Sequence, residues 1–153
     1  MKGALAFVAF AACIGNGVSD RIDKSEYETW KKIATHGVLP AHGGPDNPSY
    51  RIIYANPEAT TFEGAGHYPE GSILVKEVYD LDTSSGSPAP GKLQYVAVMR
   101  RLDGPQPQGL SDEGGWLFTE ASTPGGAETH YAYCWDSCHV ASPYHGAWLD
   151  YSK

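Results

Sequence analysis

Late in the chain, two cysteines and a histidine share one short segment, Cys134-Trp135-Asp136-Ser137-Cys138-His139. Two thiols this close can each add to a vinyl group of haem, and a histidine directly after the second can set its imidazole on the iron from the same side. The usual spacing has two residues between the cysteines and this segment has three, yet on a helix residues four apart still share a face. A disulfide with His139 incidental, or half of a zinc site, would use the same pair of thiols. Zinc needs about four ligands, and the sequence has no second cysteine pair to supply them. Because the segment comes so late, a haem pocket would have to be built from the residues before it.

Those residues read mainly as strands. Residues 50–54, 72–79, 93–102 and 116–121 are rich in Val, Ile, Tyr and Phe and are separated by turn residues. Residues 83–91 and 103–115 have the composition of surface loops. A helix precedes the strands. Asp23 with Glu26 fits an N-cap and its reciprocal partner, and Tyr27, Trp30 and Ala34 fall on one face with Glu28, Lys31 and Lys32 opposite, until Gly37 and Pro40 end it. A connection rich in Pro and Gly follows over residues 40–48. No repeat occurs, and no helical segments separate the strands as a parallel sheet would require. The expected class is α+β: a small antiparallel β-sheet flanked by one or two helices, with the cysteine and histidine segment after it.

A chain of 153 residues is large enough for one compact core and too short for two comfortable ones. Eleven Lys and Arg against eighteen Asp and Glu leave a formal charge of −7 with no basic cluster, which argues against nucleic acid as a partner. Residues 1–19 form a segment apart from the domain over 20–153: one early lysine, an apolar run over 4–12, then small residues, the layout of a secretory signal. The run is too short for a bilayer core of about 30 Å, which needs roughly 20 residues. Cys13 closes it in Phe10-Ala11-Ala12-Cys13, which resembles a lipoprotein processing box with Phe in place of the usual Leu. Export to the periplasm is expected, by plain cleavage or with a lipid anchor on Cys13.

Five stretches then fall in a familiar order: Tyr27-Glu28-Thr29-Trp30, Arg51-Ile52-Ile53-Tyr54-Ala55-Asn56-Pro57-Glu58, Leu74-Val75-Lys76-Glu77, Gly115-Trp116-Leu117-Phe118 and the segment ending at His139. With them, from about Tyr27 to Tyr151, the chain resembles the cytochrome P-460 and cytochrome c′-β family. The resemblance implies a homodimeric, mostly β protein with one covalently attached haem c in a pocket on the sheet. It also implies periplasmic nitrogen-oxide metabolism, with hydroxylamine or nitric oxide as the small ligand and a small redox protein as partner.

Three further positions bear on the chemistry. Lys76 matches the lysine that hydroxylamine-oxidising members cross-link to the porphyrin edge; alternation puts it on one face with Leu74 and Val78, and a solvent-facing strand lysine is the alternative. Arg51 matches a pocket arginine suited to a haem propionate or a bound anion, and an exposed strand cation is the alternative. Met99 stands where the hydroxylamine oxidisers carry a distal carboxylate, so general-base help worth about 10²- to 10⁴-fold is missing at that position. Alternation puts Met99 on one face with Tyr95 and Ala97, and its thioether suits a sixth ligand opposite His139, the ligation of electron carriers. Capping an open iron site and plain core packing are its alternatives. His36, His42 and His67 lie among Gly and Pro as surface residues, and His130 and His145 flank the cysteine segment without an assigned part. The expected function is therefore electron transfer with iron between His139 and Met99. Nitric oxide binding or hydroxylamine oxidation at an open distal site is the alternative, and a haem-free, disulfide-bearing binding module is a third.

Overall fold

Six strands pair in chain order into one antiparallel sheet: β1 (Lys31–Gly37), β2 (Ser49–Ala55), β3 (Ile73–Asp82), β4 (Ala89–Arg101), β5 (Trp116–Ala121) and β6 (Thr129–His130). The computed structural model describes residues 21–37, 48–102, 114–151 and 153. Cys13 and the signal-like run, most of the connection over 40–48, His42 and most of the 103–115 loop lie outside the described residues. The helices are short: α1 (Lys24–Tyr27), α2 (Pro57–Thr60), α3 (Tyr133–Ser137) and a 3₁₀ turn over His139–Ala141. The protein is thus β-rich, with less helix than its sequence suggests.

The largest departure is the first helix. Its start is as expected, with Glu26 Oε1 accepting from the Asp23 backbone N–H at 2.8 Å, but it ends at Tyr27, and Lys31–Gly37 becomes a strand. A helix of one turn gains few hydrogen bonds for the residues it orders. Beyond it, Ile33 and Thr35 alternate with exposed Ala34 and His36, and pairing Ile33 with Ile53 and Thr35 with Arg51 satisfies the backbone against β2. His36 therefore lies in a strand, not a loop. β1 is an edge strand, and its exposed Lys31 and Lys32 discourage pairing with another chain. The expected loop over 83–91 is also shorter, because Ala89 and Pro90 pair with Asp82 and Leu81.

The register sorts side chains onto two faces, since directly paired residues point the same way. On the first face Tyr54, Val75, Val96 and Val98 form a core with Ile22 and Tyr27. On the second, Ile53, Ala55, Leu74, Trp116 and Phe118 pack beneath Phe62, Tyr68, Ala147 and Tyr151, so the last part of the chain folds over this face. Asn56 ties the second face together: its side chain accepts from Ala59 N–H at 3.0 Å and Ile73 N–H at 2.9 Å and donates to the Gly71 carbonyl at 2.8 Å. With Pro57 in its first turn, α2 is a capped helix placed by Asn56-Pro57.

Candidate functional site

The cysteine segment lies against the second face. Trp135 and Cys134 pack on the core there, and the His139 ring lies 4.8 Å from the Phe118 ring. The sulfurs are not joined in a disulfide, and both cysteines are partly exposed. Cys134 is helical, but Cys138 sits just past the end of α3 with φ −138°, so the two do not occupy one helical face as their spacing suggests. Among the described residues no group of three or more His, Cys, Asp or Glu is placed to hold a metal ion.

His139 is held in one tautomer. Its Nδ1 lies 2.6 Å from the Gly146 carbonyl, which can only accept, so Nδ1 carries the proton and Nε2 keeps a lone pair. Burial pushes the imidazole pKa down to about 4; the Gly146 carbonyl opposes this and the Lys76 charge adds to it. A neutral imidazole with a free Nε2 is the form that binds a transition metal. The turn behind it is braced. Ser142 Oγ donates to the His139 carbonyl at 2.6 Å and accepts from Gly146 N–H at 2.9 Å, while Trp116 Nε1 donates to the His145 carbonyl at 2.8 Å. Gly146 has φ +101°, and a Cβ there would lie 2.4 Å from Trp116 Nε1. Gly146→Ala should therefore cost roughly 1–3 kcal/mol of stability. It should also release His139, read as faster solvent exchange of the Nδ1 proton by NMR. Unchanged exchange with unchanged stability would show that the turn does not orient the ring.

The sequence-chosen residues converge on the same face. Ladder rows put Arg51, Val78 and Tyr95 in one line, Ile53, Lys76, Ala97 and Glu120 in the next, and Ala55, Leu74, Met99 and Phe118 in the third. Lys76, Tyr95, Ala97, Met99 and Glu120 are only partly buried although four of them lie on the two central strands, so this part of the face is less covered than the part under Tyr68. Burial pushes the Lys76 amine down to about 8, against the opposing charges of Glu120, Cys134 and Cys138 and with the help of Arg51. Lys76 thus shares a neighbourhood with both cysteines and with His139. Arg51 is 3 % exposed, with Nη1 donating to Ser49 Oγ at 2.9 Å and to the Gly37 carbonyl at 3.3 Å. Its buried Nε–H has no hydrogen-bond partner, and a buried guanidinium donor left over is a ready contact for an anionic group such as a propionate.

Glu120 was missed by sequence reasoning. Its signal is parity, since Trp116, Phe118 and Glu120 alternate onto one face and a carboxylate follows two core aromatics. Among the described residues, His36 stacks on Tyr50, and His67 meets His145 edge-on.

Two unjoined thiols, a histidine presenting Nε2 and an orphaned buried guanidinium N–H on one sheet face fit a covalently attached haem. A protein-family model described as Cytochrome P460 matches residues 24–145, most of the chain. No curated protein matches the chain.

Proposed function

Since the chain belongs to the cytochrome P460 family and carries one covalently bound haem c, we propose that it is an exported electron-transfer cytochrome of nitrogen-oxide metabolism, with iron held by His139 and Met99. Cys134 and Cys138 would form the thioethers, and Arg51 would meet a propionate. The bound group supplies a redox-active iron; the protein supplies its ligands, orientation and surroundings. The observation that carries the reading is the His139 tautomer, locked by Gly146 beside two thiols that no disulfide joins. For Met99 the support is its row: it is paired with Phe118, whose ring lies against His139. Export, with Cys13 cleaved away or lipidated, rests on the pattern of residues 1–19, and the homodimer and small redox partner on the family resemblance. A second reading, in which a hydroxylamine or nitric oxide ligand displaces Met99, is favoured by the partly open placement of Lys76 and Glu120 on the same face.

Protein matured with the c-type machinery should keep its haem through acid-acetone extraction and denaturing electrophoresis, and Cys134→Ser should leave one attachment. The oxidised protein should be largely low-spin with the weak near-infrared band of an iron–thioether bond, and Met99→Ala should turn it high-spin and speed nitric oxide binding. Extractable haem would overturn the attachment. A wild type already high-spin, with ligand binding indifferent to Met99→Ala, would overturn the electron carrier.

A further inference from the structure

His67 and His145, far apart in the chain, are both exposed, and their rings meet with centroids 5.2 Å apart and planes 64° to each other. One buried side chain fixes both. Trp116, 1 % exposed, packs at 5.4 Å on the ring of Tyr68, the residue after His67, and its Nε1 donates to the His145 carbonyl at 2.8 Å. Tyr68 is held in turn by Phe62, stacked at 4.1 Å, and by the Leu149 carbonyl, which accepts from its hydroxyl at 3.2 Å. His145 has φ +47°, the one left-handed residue other than glycine among the described residues. Most side chains avoid that conformation. The backbones that carry the two imidazoles are therefore set by the core before anything binds, which lowers the ordering entropy that a bridging ligand has to overcome.

Two rings can meet this way as a plain edge-on aromatic contact, but the spacing is also that of a shared metal ion. An ion about 2.1 Å from one nitrogen of each ring lies roughly 3.2 Å from each ring centre, and at a tetrahedral angle the centres are then about 5 Å apart. Exposure lets water fill the remaining positions, so the site is open rather than the closed four-ligand kind. Imidazole nitrogens select zinc and copper over calcium and magnesium, which take oxygen donors. The formal charge of −7 favours a cation in general. We propose that His67 and His145 together hold one divalent transition-metal ion, of which zinc is the probe, at a surface site distinct from the cysteine segment. The inference uses neither the ligation of the haem iron nor the choice between electron transfer and ligand binding.

The test is calorimetric titration of the holoprotein with zinc chloride, since thioether formation keeps Cys134 and Cys138 from competing for the metal. One ion should bind per chain. His67→Ala and His145→Asn should each weaken binding on the order of 10- to 100-fold, asparagine being chosen because it tolerates the left-handed backbone. The double variant should lose little more than either single variant, because once one imidazole is gone no chelate is left to break. Two histidines holding separate ions would instead give additive losses. Zinc should also raise the melting temperature of the wild type and not of the double variant, while without zinc the absorption spectra and melting temperatures of all four proteins should coincide. A wild type that does not bind zinc, single variants that bind it as the wild type does, or additive losses would each overturn the proposal and leave an aromatic contact only.

Discussion

Glu77→Ala should lower the melting temperature by roughly 10–20 °C, the largest stability loss expected from a single change on the face away from the haem site. Glu77 is fully buried and gathers three phenols: Tyr27 Oη at 2.8 Å, Tyr54 Oη at 3.1 Å and Tyr79 Oη at 2.8 Å. Lys24 adds an ion pair at 3.0 Å from a half-exposed position. Removal leaves the buried Tyr27 and Tyr54 hydroxyls without an acceptor, each costing about 1–3 kcal/mol, while the Lys24 ammonium turns to water at little cost. A total of about 3–5 kcal/mol is a large share of the 5–15 kcal/mol by which such domains are stable. Burial alone would raise the Glu77 carboxyl, but hydrogen bonds from Tyr79, Tyr27 and Lys24 outweigh it and hold it below its ordinary 4.5. A depressed acid contributes stability above the unfolded pKa and loses it as pH falls through the folded one. Wild-type stability should therefore drop below about pH 4.5, and Glu77→Ala should flatten that limb. Thermal unfolding by circular dichroism across pH tests both points; a shift under about 3 °C at neutral pH would show that the tyrosines find other partners.

His139→Ala should have the largest effect on the spectrum. On the proposed ligation, the thioethers at Cys134 and Cys138 should hold, so haem stays with the polypeptide, while loss of the His139 nitrogen should abolish the low-spin signature. The ring leaves a gap beside Phe118, 4.8 Å away in the wild type. Free imidazole should enter that gap and restore much of the wild-type spectrum, because the Gly146 carbonyl that orients Nδ1–H is still present. A variant with wild-type absorption before any imidazole is added would mean that another residue ligates the iron from this side.

The family resemblance picks out Met99, Lys76 and Arg51, and the period of two along a strand then gives the face on which Lys76 and Met99 stand. The register then brought all three to one side of the sheet. The same rule applied to residues 116–121 would have placed Glu120 with them, but its proximity to Lys76 depends on which strands are adjacent and on a small residue between them, neither of which is local. The first helix failed for a related reason. Residues 24–34 satisfy a helical period well enough to be read as one, and only the offer of a complete hydrogen-bond ladder along β2 converts 31–37 into a strand.

What the sequence carried by itself was chemical and short-range: two thiols and an imidazole in one short segment, runs rich in Val, Ile, Tyr and Phe with the period of strands, and a formal charge of −7. Such properties belong to single residues or to a few neighbours along the backbone. The tertiary structure decided the rest. It chose which His139 nitrogen carries the proton, because the Gly146 carbonyl arrives only when the chain turns back at a left-handed glycine under Trp116. It left the buried Arg51 with an unpartnered Nε–H on the same face as Lys76, and it stood Lys76 and Glu120 on either side of Ala97. Protonation and recognition depend on desolvation and on groups distant in sequence, and these exist only once the sheet has closed over its two cores.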